Sequence, residues 1–220
     1  MASQTKVQPL MYFGIAWIVL LVISYHSPYS STLTVLITLA IIISLIWLLF
    51  RYPRDQAFTN WAWTMAGILY IGWMLSYWIE LRGQEIGRGL VFLAMFTTFA
   101  NDTGAFFIGR TWGKHPMAPS ISSGKTWEGA LGGVLSSIAG AFIINAIFNL
   151  PFNYWQIALA GFIISIFAQL GDLVESLLKR NTGVKDAGKL VPGHGGILDR
   201  VDSLIFTGVI VYYLVQLAKL

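Results

Sequence analysis

Two pairs of carboxylates lie three residues apart in the C-terminal part of the chain: Asp172 with Glu175, and Asp199 with Asp202. On a helix, residues three apart share one face, so each pair would place two negative charges side by side. Such charges repel each other unless a cation lies between them, and carboxylate oxygens are ligands that suit Mg²⁺. The spacing therefore predicts Mg²⁺ at these residues. The absence of cysteine disfavours a zinc site.

Basic residues accompany the carboxylates. They are Lys125, Lys179, Arg180, Lys185, Lys189 and Arg200. A site for a metal ion and a polyphosphate needs both kinds of charge, because the metal neutralises phosphate oxygens while Lys and Arg add hydrogen bonds. The segment 191–196 reads VPGHGG, and glycine lets backbone N–H groups approach a phosphate closely. These residues together predict metal-assisted phosphoryl chemistry, without identifying the substrate.

The elements that must position these residues are apolar. Of the 220 residues, 56% are hydrophobic and 11% are charged, whereas soluble domains carry about 25% charged residues. The mean hydropathy is +0.68. A helix needs about 20 apolar residues to cross a bilayer, and seven segments qualify: 9–26, 32–50, 61–79, 89–109, 129–148, 154–178 and 198–218. The sequence therefore predicts an all-α transmembrane bundle of about seven spans.

The distribution of Lys and Arg predicts the orientation of this bundle. With the N-terminus inside, eleven of these residues fall on the inner side and three on the outer side, namely Arg82, Arg88 and Lys219. Cytoplasmic loops carry the excess of positive charge. We therefore expect an N-in, C-out protein of the cell membrane, with loops 110–128 and 179–197 facing the cytoplasm. The acidic residues are concentrated after residue 100, so we expect a scaffold over 1–88 and a catalytic region over 89–220.

The predicted fifth span carries small residues four apart, at Gly129, Gly133 and Ser137. Small residues at this spacing let two helices approach closely in lipid. We expect this stripe to pack within the bundle, and a homodimer interface is the alternative.

The stretch from Ser176 to Asp202 has the form S-x-x-K-R, four residues, K-D, and later H-G-G-x-x-D-R-x-D. This pattern resembles the signature of the phosphatidate cytidylyltransferases, also called CDP-diacylglycerol synthases. Upstream, the segments 101–105 (NDTGA) and 125–129 (KTWEG) are similar to the region that precedes the signature in this family. One difference is that 122–125 reads SSGK, where the family usually has Ser-Pro-Lys-Lys. The resemblance covers roughly residues 95–210.

The resemblance implies an integral membrane nucleotidyltransferase of phospholipid biosynthesis, which makes CDP-diacylglycerol and pyrophosphate from CTP and phosphatidate in the bilayer. It implies Mg²⁺, with room for a second metal ion, on Asp172 and Asp199, and with Glu175 and Asp202 as further ligands. The residues expected to act in catalysis are Asp172, Asp199, Lys125 and Arg200. The residues expected to bind the substrates are Ser122, Lys125, Thr126, Lys179, Arg180, Lys185, His194, Gly195 and Arg200. Structural roles for His194, in a turn, and for Asp102, in an ion pair, remain alternatives.

Related lipid enzymes and membrane transporters are the alternative classes of function. A CTP-dependent lipid kinase, or an enzyme acting on ether-lipid phosphates or polyprenols, could use the same loops. A transporter would place ionisable residues along a path through the membrane, but the first three predicted spans have none in their apolar centres. The net charge of +4 is not gathered into one tail, which disfavours binding to nucleic acid.

Overall fold

The computed structural model of the protein describes residues 10–25, 31–51, 57–181, 183, 196 and 198–218. The chain divides into two compact units, Met1–Ile79 and Glu80–Leu220.

The first unit is helical throughout its described part. Its helices are α1 (Met11–Ser24), α2 (Thr32–Arg51), α3 (Ala57–Gly67) and a π-helical segment (Ile68–Trp73), which leads into α4 (Met74–Gly83). Leu21, Ala40, Met65 and Ile68 form the buried core. The indole N–H of Trp61 donates a hydrogen bond of 2.8 Å to Ser44 Oγ, which ties α3 to α2. A buried polar group in an apolar setting needs such a partner.

The second unit contains α5 (Gly87–Trp112), β1 (Pro116–Ala118), β2 (Ser122–Thr126), α6 (Trp127–Phe148), α7 (Tyr154–Asn181) and α8 (Leu198–Leu217). The two strands form an antiparallel hairpin between α5 and α6. Leu93, Ala141, Ile144, Leu150 and Ile157 form a buried apolar cluster that joins α5, α6 and α7. Thr98 Oγ1 donates to Thr207 Oγ1 at 3.2 Å, which links α5 to α8.

Glycines allow α5 and α6 to approach closely. A Cβ atom added at Gly129 would lie 2.8 Å from the carbonyl oxygen of Ala105, and one added at Gly133 would lie 2.6 Å from Asn101 Oδ1. The expected packing of the small-residue stripe within the bundle is therefore confirmed for these two glycines. The homodimer stays a prediction.

The predicted all-α membrane fold is confirmed. In the part of the chain that the structure describes, α2, α5, α6 and α7 are long and apolar enough to cross a membrane, and α1 is a shorter apolar helix. Large apolar side chains such as Leu131, Leu135 and Ile143 are more than half exposed along α6, as is expected of a surface that faces lipid. The chain is an integral membrane protein, and the number of seven spans stays a prediction.

The predicted loop boundaries require correction. Instead of an open loop over 110–128, α5 continues to Trp112, the hairpin occupies 116–126, and α6 begins at Trp127. The predicted loop over 179–197 begins too early, because α7 continues to Asn181. Much of the remainder of that loop lies outside the described residues. The proposed roles of 1–88 as scaffold and 89–220 as catalytic region stay predictions.

Candidate active site

The hairpin is fixed at its base to the first turn of α6. The backbone N–H of Trp127 donates to the carbonyl oxygen of His115 at 3.0 Å. Thr126 has an extended backbone and caps α6, with its hydroxyl oxygen accepting from the N–H of Gly129 at 3.1 Å. The Glu128 carboxylate accepts from the backbone N–H groups of Lys114 and His115 at 3.2 and 3.3 Å. These bonds hold β2, and the residues it carries, against the end of the helix.

A cavity of about 300 Å³ lies between this hairpin and helices α5, α6 and α7. Its polar lining residues are Asn101, Asp102, Ser122, Lys125, Thr126, Gln169 and Asp172. Ala105, Phe106 and Met117 contribute an apolar wall. Four predicted site residues, Ser122, Lys125, Thr126 and Asp172, therefore meet at one cavity.

Lys125 is the basic residue of this cavity. Its ammonium group forms an ion pair of 2.8 Å with Asp172 Oδ2, and it lies 3.5 Å from the carbonyl oxygen of Gln169. The hydroxyl of Ser176 donates to the other oxygen of Asp172 at 3.4 Å. The Asp172 side chain is 38% exposed, so a ligand can reach this ion pair.

A buried amide network lies behind the ion pair. Asn101 Oδ1 accepts from Ser165 Oγ at 2.6 Å and from Gln169 Nε2 at 3.1 Å. These two bonds fix the orientation of the Asn101 amide. Its nitrogen donates to Asp102 Oδ1 at 2.9 Å. Gln169 also donates to the carbonyl oxygen of Ala130 at 3.2 Å. The network connects α5, α6 and α7 and gives one cavity carboxylate a fixed donor.

A second cluster of charged residues, the Lys179 group, consists of Lys179, Glu175 and Asp199 and joins α7 to α8. The ammonium of Lys179 pairs with Glu175 one turn earlier and with Asp199 Oδ1 at 2.9 Å. Glu175 is fully buried, with its side chain 1% exposed. The other oxygen of Asp199 accepts from the backbone N–H of Gly196 at 2.7 Å. One cation therefore serves two carboxylates in a region with little access to water.

Among the described residues that line the cavity, two carboxylates, Asp102 and Asp172, accompany one lysine, Lys125. Asp102, Asp172 and Asp202 lie close enough for their charges to act on one another, with Lys125 near Asp102 and Lys179 near Asp202. Within the described ranges, no three carboxylate or imidazole groups converge as a ready metal cage. Such an excess of negative charge fits a Mg²⁺ held by one or two carboxylates and completed by substrate phosphates.

The remaining predicted residues are distributed as follows. Asp202 lies on α8, where its Oδ1 accepts from the N–H of Ser203 at 2.7 Å. Arg180 is near the end of α7, and its Nε donates to the carbonyl oxygen of Ile121 in the hairpin at 3.4 Å. Arg200 is exposed in the first turn of α8. Lys185, His194 and Gly195 lie outside the described residues.

Sequence reasoning assigned no role to Asn101, Ser165 and Gln169. The available signal was an amide or hydroxyl side chain inside an apolar span, where a polar group must find a partner. Only the structure shows which partner each one has.

A sequence model described as "Cytidylyltransferase family" matches residues 1–218. The chain belongs to this family. Its membership confirms the family predicted from the pattern between Ser176 and Asp202.

Relatives in the family bear a more specific name. "Phosphatidate cytidylyltransferase" of Bacillus subtilis is 43% identical over 155 residues, which are 70% of this chain and 57% of the relative. The protein of the same name from Staphylococcus epidermidis is 42% identical over 150 residues, 68% of this chain and 57% of the relative. "Phosphatidate cytidylyltransferase 4, chloroplastic" of Arabidopsis thaliana is 36% identical over 212 residues, 86% of this chain and 54% of the relative. The chain spans a little over half the length of these curated relatives.

Proposed function

We propose that this chain transfers the cytidylyl group of CTP to phosphatidate, forming CDP-diacylglycerol and pyrophosphate. The observation that carries the proposal is the solvent-accessible ion pair of Lys125 and Asp172 in the cavity. Lys179, on the same helix as Asp172, adds a second cation. The names of the relatives supply the substrate, since each is called a phosphatidate cytidylyltransferase.

The depth expected for the cavity in a bilayer supports a lipid substrate. Helix α6 has 22 residues, so it is about 33 Å long at 1.5 Å per residue, close to the ~30 Å hydrocarbon thickness of a bilayer. The exposed indoles of Trp112 and Trp127 lie at the hairpin end of α5 and α6, and the exposed Tyr154 and Trp155 lie at the start of α7. Aromatic side chains of this kind concentrate at both membrane interfaces. The cavity, which is lined by the first residues of α6, would then lie at headgroup depth.

The proposed reaction needs positioning and charge more than proton transfer. An oxygen of the phosphatidate phosphate attacks the α-phosphorus of CTP, and the bond from that phosphorus to the oxygen bridging to the β-phosphate breaks. The second pKa of a phosphate monoester is near ~6, so the attacking oxygen is largely ionised at neutral pH. Lys125 would hold phosphate oxygens in the cavity, and Lys179 and Arg200 would offset the charge of the nucleotide phosphates and of the leaving pyrophosphate.

Mg²⁺ remains part of the proposal. Asp172 and Asp199 would hold it, with Glu175 and Asp202 in support, and it would supply neutralisation of the phosphate oxygens of CTP. The feature that supports this assignment is that two described carboxylates, Asp102 and Asp172, lie beside one lysine in the lining of the cavity.

We also propose that the cavity faces the cytoplasm of a cell with the protein in its plasma membrane. The bias of eleven Lys and Arg against three supports this orientation, and CTP is a cytoplasmic substrate in this scheme.

The test uses protein in liposomes that contain phosphatidate, with CTP and Mg²⁺ added outside. We expect CDP-lipid to form and Asp199→Asn to lower its rate strongly while the variant stays folded, since one oxygen would be lost from both the Lys179 pair and the proposed metal site. Wild-type protein that is folded but forms no CDP-lipid would contradict the proposal. Full activity of Asp199→Asn would remove the metal role of Asp199.

A further inference from the structure

We infer that the cavity is the lipid-phosphate subsite, and that Phe106 and Met117 select a phosphate monoester that carries acyl chains. This inference rests on the proposed function and deepens it. Most of the nucleotide would then be bound beside this cavity, on the side of the Lys179 group, with Asp172 shared between the two substrates.

Phe106 combines two properties that place it at the rim of the cavity. It lines the cavity, yet 56% of the residue is exposed. Phe99, two turns earlier on the same face of α5, is 45% exposed and does not line the cavity. The lipid-facing surface of α5 therefore continues through Phe106 into the cavity wall.

The Phe106 ring has an aromatic and a cationic neighbour on α5. It packs edge-to-face against Phe107, with ring centroids 5.5 Å apart, and the guanidinium carbon of Arg110 lies 5.8 Å from its centroid. A cation at this distance is attracted to the face of the ring. The ring is thus an apolar surface with a positive charge nearby, at the depth assigned above to lipid headgroups.

The rest of the lining separates polar from apolar groups. Met117, half-buried on β1, adds a flexible apolar side chain to the Phe106 wall, while Lys125 and the two aspartates Asp102 and Asp172 form the polar part. A diacyl phosphate has the same division, with a charged headgroup and an apolar glycerol-ester region. A volume of about 300 Å³ is at the lower end for small-molecule sites and is enough for one headgroup.

The kinetic test compares Phe106→Ala and Met117→Ala with the matched control Phe99→Ala. We expect either cavity variant to raise the KM for phosphatidate about tenfold, the lower range for loss of an apolar contact in a pocket, and to leave the KM for CTP unchanged. Phe99→Ala should leave both values unchanged. An increase of the KM for CTP in Phe106→Ala, or equal effects of Phe106→Ala and Phe99→Ala, would overturn the inference.

A binding test separates this inference from the proposed function. Calorimetry in detergent would measure the affinity of the wild-type chain and the same variants for dihexanoyl phosphatidate, glycerol 3-phosphate and inorganic phosphate. Phe106→Ala should weaken binding of the lipid about tenfold and leave glycerol 3-phosphate unaffected, whereas Lys125→Met should weaken both. Lipid binding with this pattern but without turnover would contradict the proposed function and support the subsite. Wild-type affinity no greater for the lipid than for inorganic phosphate would overturn the subsite.

Discussion

Replacement of Lys179 by methionine tests how the structure balances charge between α7 and α8. The substitution keeps the apolar stem and removes the ammonium group that bridges Glu175 and Asp199. The two carboxylates are 1% and 11% exposed, so water would do little to separate their charges. Removal of one partner from a buried pair destabilises by about 3–5 kcal/mol, and we expect a loss in this range.

Lys125→Met is the matched control for Lys179→Met. Lys125 also forms an ion pair with an acid of α7, but that acid, Asp172, is 38% exposed. Ion pairs that are open to solvent contribute only about 0–1 kcal/mol. The two substitutions therefore make the same chemical change and differ in the burial of the carboxylate that is left behind.

The assay is reversible unfolding in mixed micelles with increasing denaturing detergent, followed by helical circular dichroism. The predicted order is a large loss of unfolding free energy for Lys179→Met and a small one for Lys125→Met. Adding Glu175→Gln to Lys179→Met should recover part of the loss, because it removes one of the two facing charges. A loss below about 1 kcal/mol for Lys179→Met, the range of an exposed pair, would refute the reasoning.

Two further substitutions test the packing around the cavity. Gly133→Ala should lower the unfolding free energy by about 1–3 kcal/mol, because the added Cβ would lie 2.6 Å from Asn101 Oδ1. Gly124→Ala is the control and should leave the unfolding free energy unchanged, because no atom lies within 4 Å of the added Cβ. Equal losses for the two variants would contradict the close packing at Gly133. Arg180→Gln should speed cleavage of the hairpin by trypsin, since it removes the 3.4 Å bond to the carbonyl oxygen of Ile121; unchanged cleavage would show that this bond does not hold the hairpin.

The sequence was sufficient to predict the class of fold and to propose four residues that line the cavity, because both inferences depend on residue type. Apolar runs of span length predict membrane helices without knowledge of which helices meet. Carboxylates in such runs are functional candidates wherever they point. For this reason Lys125 and Asp172, 47 positions apart in the sequence, could both be proposed before it was known that they form an ion pair.

Details that depend on which faces meet were not predictable. The spacing of Asp172 and Glu175 did not reveal that each pairs with a different lysine, Asp172 with Lys125 and Glu175 with Lys179. The hairpin was missed because three- and five-residue strands are too short to show a clear alternation of polar and apolar residues. The role of Gln169 depends on three elements meeting at one amide, which no local pattern in the sequence reveals.

The most direct test of the central claim follows the label of CTP into lipid. Liposomes with the purified chain, phosphatidate and Mg²⁺ would receive CTP labelled at either the α- or the γ-phosphate. The account predicts that the α-label enters the lipid, that the γ-label is released as pyrophosphate, and that chelation of Mg²⁺ stops both. Transfer of the γ-label to lipid would instead reveal a kinase, and folded protein that transfers neither label would contradict the claim.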